Sequence, residues 1–181
     1  MKKIILLIAI VIVSAMGFTA SAQSGRRNAS KANLAKEKAA PAKENKGEKI
    51  FLQHADKALS IIEQEAQKIS IKGTAVIAFI PGEKTDRWTS KMKVIGFFTN
   101  DNSNTLGVAY TKMAEMADTF KDSGSNSRKV LTGETGWQGG AVKKVEGGYI
   151  LAAFSGAKGE EDYAVATAGL NFLEQQYAQK K

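Results

Sequence analysis

Residues 139–170, GGAVKKVEGGYILAAFSGAKGEEDYAVATAGL, constrain this chain more than any other segment. Gly139-Gly140 opens a short polar strand pattern over residues 141–146, and Gly147-Gly148 turns it into an apolar strand over 149–154. A glycine pair between two strand-like runs is a tight hairpin signal, because such a turn needs positive φ. Ser155-Gly156 then breaks the chain. Glu160, Glu161 and Asp162 begin a helix that runs to about residue 178, with negative charge where the helix dipole favours it. Tyr163, Ala166, Ala168, Leu170, Phe172, Leu173 and Tyr177 supply its apolar positions.

Upstream, Ala55, Ala58, Leu59, Ile62, Ala66 and Ile69 recur at three- and four-residue steps, which predicts an amphipathic helix over about 53–68. Residues 74–80, TAVIAFI, read as a buried strand ended by Pro81-Gly82. Residues 83–86 form the tip of a hairpin leading to a strand within 88–99, where alternation puts Met92, Val94, Trp88 and Ser90 on one face. Asp101, Asn102, Ser103 and Asn104 supply cap chemistry for a second helix. Leu106, Ala109, Met113, Met116, Ala117 and Phe120 mark its buried side. A polar connection over 123–137, with one helical turn around 128–131, returns to the final hairpin. The order is helix, strand, strand, helix, strand, strand, helix. Hairpin connections make the sheet antiparallel, and the fold class is α/β of the α+β kind.

Not all of the 181 residues belong to that domain. Met1-Lys2-Lys3, an apolar run over 4–18 and Ala20-Ser21-Ala22 have the form of a secretory signal peptide cut after Ala22, hence 1–22. The apolar run is too short to span a bilayer, so no stable membrane insertion is expected after cleavage. The mature protein is then periplasmic or secreted. Residues 23–49 carry eight basic residues against Glu37, Glu44 and Glu48, with Leu34 their only large aliphatic residue. Such a segment reads as a basic disordered linker. It and the leader hold almost all of the net charge of +8, so the domain over 50–181 is nearly neutral and no nucleic-acid partner is expected. The absence of cysteine excludes disulfides, cysteine-ligated metals and thiol catalysis.

Three blocks resemble the GlcG/HbpS-like family of haem-binding proteins, which includes the C-terminal domain of PduO-type proteins. The first is the opening helix entering the aliphatic strand at Thr74. The second, residues 109–117, is similar to the family's A-x-x-K-A-x-x-A pattern. The third is the opening segment, in which Gly139, Gly140, Ser155, Gly156, Asp162 and Ala166 fall on the family's fixed points. Ala141 stands where the family has a proline-containing step. The resemblance covers about residues 55–173. It implies a profilin-like fold with a five-stranded antiparallel sheet flanked by helices, assembly into homo-oligomers, and haem as cofactor.

Four residues are candidates for that cofactor. His54 is the chain's single histidine, which removes two-histidine metal sites. It is either a haem-iron ligand, for which the resemblance offers precedent, or an exposed residue near the start of a helix. Met113, with Met92 and Met116, offers a thioether, although its spacing on an apolar face suits core packing. Tyr110 and Lys112 lie on or beside the family-like helix, either against a haem propionate or on a solvated face. No carboxylate pair, nucleophile elbow or phosphate loop stands out. The leading expectation is an exported haem or tetrapyrrole binder for sequestration, sensing or delivery. The alternatives are a cofactor-free homo-oligomeric interaction module of the envelope, and an enzyme acting on a small organic molecule or degrading haem.

Overall fold

A computed structural model of the chain describes residues 45–99 and 102–179, all within the second of two units, Met1–Ala42 and Lys43–Lys181. The leader expected over 1–22 and the linker over 23–44 lie outside the described residues. The elements are α1 (Lys46–Lys68), β1 (Gly73–Pro81), β2 (Thr89–Ile95), α2 (Thr105–Thr119), β3 (Gly140–Val145), β4 (Gly148–Ser155) and α3 (Gly159–Ala178).

The described residues form one antiparallel sheet in the order β2-β1-β4-β3. It has four strands, not the five that the family resemblance implied. Between β2 and α2 the described residues contribute an isolated bridge, Thr99 to Asn104, and no further strand. Helices cover both faces. Along β1 and β4, Ala75, Ile77, Phe79, Ile150, Ala152 and Phe154 join the core under α1 and α3. Val76, Ala78, Ile80, Leu151 and Ala153 alternate with them and join the core under α2. Both central strands are therefore apolar on both sides, which is why 74–80 reads as a continuous run.

Of three expectations, the first and third need correction. The first helix starts at Lys46 rather than near 53, so residues 45–49 belong to the folded unit and not to the linker. Asn45 caps it by accepting from the Gly47 N–H at 2.8 Å, and the Tyr177 hydroxyl donates to the Gly47 carbonyl at 2.7 Å. Ile50 and Phe51 are buried beneath this added turn. Second, Met92 and Val94 share one face of β2, as their alternation predicts, and that face is exposed, because α2 packs on β1, β4 and β3 and leaves that edge uncovered. The opposite face of β2 is held instead, with Lys91 paired to Asp56 and Lys93 to Glu63 on α1. Third, residues 128–131 form no helical turn. Arg128 folds that loop by pairing with Glu134 and Asp118.

Candidate functional site

Helix α2 starts at Asn104, whose side chain accepts from the Gly107 N–H at 2.9 Å. Its inward face carries Ala109, Met113 and Met116, and between them Lys112 also points inward. The Lys112 ammonium donates to the Phe154 carbonyl and to Asp162 Oδ2, each at 2.7 Å. The two side chains are 2% and 3% exposed. Asp162 stands in the first turn of α3 and accepts the Ala157 N–H at 2.9 Å with its other oxygen. Burial disfavours both charges. It pushes the lysine amine below its ordinary range and the carboxyl above, in each case against the attraction of the partner.

The backbone packs closely against one side of this pair only because position 139 has no side chain. A Cβ there would lie 2.3 Å from Lys112 Nζ and 2.7 Å from Asp162 Cβ, and φ is +132°. A Cβ on Gly140 would lie 2.6 Å from the Met116 methyl. Residues far apart in sequence thus meet in space, with Lys112 bonded to Phe154 and Asp162 and packed against Gly139. Glu115, one turn on, is buried too, and accepts the Gly124 N–H at 3.0 Å with one oxygen, while the other has no hydrogen-bond partner among the described residues. A cavity of about 560 Å³ opens beside the pair. Lys112, Asp162, Ser155, glycine backbone and the largely exposed Trp137 line it.

A second cavity, about 770 Å³, lies at the other end of α2, under the β1–β2 hairpin tip. The tip is tied down by the Thr85 hydroxyl, which donates to the Ala117 carbonyl at 2.5 Å. Ala114 and Ala117 give it a flat floor, and Trp88 and Phe120 give it aromatic walls. Phe120 caps α2 in the left-handed region at φ 50°, ψ 33°, and its ring stacks on Tyr149 with centroids 4.2 Å apart. A non-glycine residue held there costs on the order of 1 kcal/mol, and here it turns the aromatic ring onto the sheet. Lys84 and Arg87 line the groove from the solvent side, paired with Asp86 and Glu48 respectively.

No protein-family model matches the chain, and no curated protein matches it in sequence. Among solved structures, the crystal structure of Ybr137w protein is similar over 81% of this chain and 95% of that chain. The sequence identity is 15% and the TM-score 0.46. So shallow a likeness assigns no role to any residue.

The four candidate residues do not form one site. His54 is half-buried on α1, edge-on to Phe172 of α3 with ring centroids 6.2 Å apart. That is the opposite face of the sheet from α2. Met113 is fully buried in the core under α2, as its spacing suggested. Lys112 is neither on a solvated face nor beside a surface propionate, because it is enclosed by Phe154 and Asp162. Tyr110 is half-buried and borders the aromatic groove, its ring 6.5 Å from that of Trp88. Among the described residues, no three His, Asp or Glu side chains cluster as a metal site, and no helix is long and apolar enough to cross a membrane. No local motif links Lys112 to Asp162, whose positions lie 50 residues apart.

Proposed function

We propose that this protein binds a planar, carboxylated macrocycle, a haem or related tetrapyrrole, in the groove between the hairpin tip and α2, for sequestration or delivery. The observation that supports it is the groove's composition: Ala114 and Ala117 between the aromatic Trp88 and Phe120, with Lys84 and Arg87, alongside Asp86 and Asp118, supplying charge. Flat apolar surfaces suit the faces of the ring, and the two cations suit its carboxylates. Lys84 is 80% accessible and its pair with Asp86 is exposed, so exchange of that partner for a ligand carboxylate costs little, whereas Arg87 is held by both guanidinium nitrogens on the 19% exposed Glu48 and lends its charge from there. The volume lies within the usual range for small-molecule sites, roughly 300–1,000 Å³.

The groove offers apolar surface to the ring and no ligand to the iron. No imidazole, thioether or phenol lines it, and Tyr110 only borders it. Binding in the groove therefore depends on the macrocycle and its carboxylates, not on the metal. Titration of the purified protein with hemin and with metal-free protoporphyrin, followed by absorbance and tryptophan quenching, tests this. We expect one of either per chain with affinities within about threefold, a tenfold or greater weakening of both in Trp88→Ala, and no change in His54→Ala. Absence of binding by both refutes the proposal. Binding of hemin alone that is lost in His54→Ala refutes the groove and returns the site to His54. The leader-like residues 1–22 are the sole support for placing this activity in the periplasm or outside the cell.

A second reading, homo-oligomer formation, is favoured by β2. It is an edge strand whose uncovered face presents Met92 and Val94, with Phe98 exposed just beyond. Such an edge is a template for pairing with a second copy of the chain. If it is used, Met92→Glu lowers the mass measured by light scattering without changing the unfolding midpoint. An unchanged mass rules this edge out as the interface.

A further inference from the structure

We propose that the cavity beside Lys112 and Asp162 is a reactive-lysine site, in which Lys112 forms an imine with a small aldehyde or ketone while Asp162 carries the proton. It lies at the opposite end of α2 from the aromatic groove, so it stands whether or not a tetrapyrrole binds there.

Three features of the geometry carry it. First, both groups line the same cavity, whose 560 Å³ and glycine-rich wall suit a small carbonyl compound. Second, two of the three ammonium N–H groups are fixed by Phe154 and Asp162, and the third has no hydrogen-bond partner among the described residues. Third, Asp162 Oδ2 stands 2.7 Å from Nζ, within direct proton-transfer distance. The Ala157 N–H fixes the other carboxylate oxygen, so the acceptor is oriented before substrate arrives. A buried pair of this kind contributes little to stability compared with an apolar pair of equal volume. Burial also drives both members towards their neutral forms, the state from which an amine attacks.

The steps balance without any outside oxidant or reductant. A proton passes from the ammonium to Asp162, and the freed nitrogen lone pair attacks the carbonyl carbon. The C=O π electrons move to oxygen, which takes the proton from Asp162. The carboxylate then removes a proton from the nitrogen and delivers it to the hydroxyl, the C–O bond breaks, and water leaves. The product is a protonated imine beside an ionised Asp162, so one carbonyl compound enters, one water departs, and the charges of the pair are unchanged.

Reductive trapping tests this on the full-length protein. Glycolaldehyde or pyruvate is supplied at neutral pH with cyanoborohydride, and modified lysines are located by peptide mass mapping over time. We expect Lys112 to be labelled at least tenfold faster than the exposed Lys57 and Lys129. Asp162→Asn should slow Lys112 labelling by tenfold or more while leaving the exposed lysines unchanged. Labelling of Lys112 no faster than Lys57, with either probe, overturns the proposal. The wild-type map decides even if Asp162→Asn fails to fold. Labelling of Lys112 that is fast but insensitive to Asp162→Asn in a folded variant overturns the proton-carrying role.

Discussion

Removing either member of the Lys112–Asp162 pair should cost far more than removing both. Lys112→Met leaves a carboxylate at 3% exposure with backbone N–H donation as its remaining support, and deprives the Phe154 carbonyl of a donor. Asp162→Asn keeps the shape and can still accept from Ala157, but it leaves the ammonium buried without a counter-charge. Breaking a buried pair from one side costs about 3–5 kcal/mol, so each single change is set at about 3 kcal/mol. In Lys112→Met/Asp162→Asn no charge remains to be desolvated, and the asparagine can still serve the Ala157 N–H. That double variant is expected to lose only about 1–2 kcal/mol. The coupling is then about 4–5 kcal/mol, the mark of groups that act as a unit. With an unfolding entropy of about 2.1 cal/mol/K per residue over roughly 130 folded residues, 3 kcal/mol lowers Tm by about 11 °C and 1 kcal/mol by about 4 °C. Urea unfolding followed by circular dichroism and tryptophan fluorescence gives all four corners of the cycle. Single variants that lose under about 1 kcal/mol, or a double variant that loses the sum of the singles, would refute the reasoning.

Gly139→Ala should cost about 3 kcal/mol in the same assay, since its Cβ meets Lys112 Nζ at 2.3 Å on a backbone that disfavours side chains; a loss below 1 kcal/mol would show that the pair can move aside. Tyr177→Phe removes the donor to the Gly47 carbonyl and should cost about 1–2 kcal/mol, detaching the first turn of α1; faster amide exchange over residues 46–51 is the accompanying sign. Glu134 is held from 4.5 down to about 2, chiefly by the Arg128 guanidinium and then by the Leu131 N–H. A depressed carboxyl contributes fully above pH 4.5 and loses that contribution as pH falls towards 2. Pepsin cleavage within residues 121–139 should therefore accelerate steeply over that interval, and a rate flat between pH 4 and pH 2 would count against the pairing.

Much of the fold follows from local pattern. Spacing of three to four residues placed the three helices and alternation placed β2, while continuous apolar runs and glycine turns placed β1, β3 and β4. The errors arise where a non-local neighbour decides. Residues 92 and 94 alternate correctly, but whether their face is covered depends on where α2 lands, and α2 packs on β1, β4 and β3 instead. The start of α1 was legible in principle. Asn45-Lys46-Gly47-Glu48 places a capping residue three before a glutamate, and Ile50 and Phe51 follow in phase with the apolar stripe. Its basic composition hid it, since charge counted over a long segment says nothing about one turn that is docked under Tyr177.

The candidate chemistry was less legible for a related reason, yet a signal existed. Lys112 follows Ala109 by three residues and precedes Met116 by four, so the helical period already sets it on the buried arc of α2. Asp162 precedes Val165 by three and Ala166 by four, and the same argument applies to α3. Lysine and aspartate are almost never fully buried unless paired. One of each, in buried phase on two helices that pack against a shared strand, is therefore an expectation of contact, stronger than either residue gives alone. Reading the acidic start of α3 only as dipole compensation treated Glu160, Glu161 and Asp162 as equivalent. Glu160 and Glu161 do face solvent, while Asp162 turns inward to meet the ammonium. The phase of a charge relative to its apolar neighbours, rather than its distance from a helix end, separates the one from the other two.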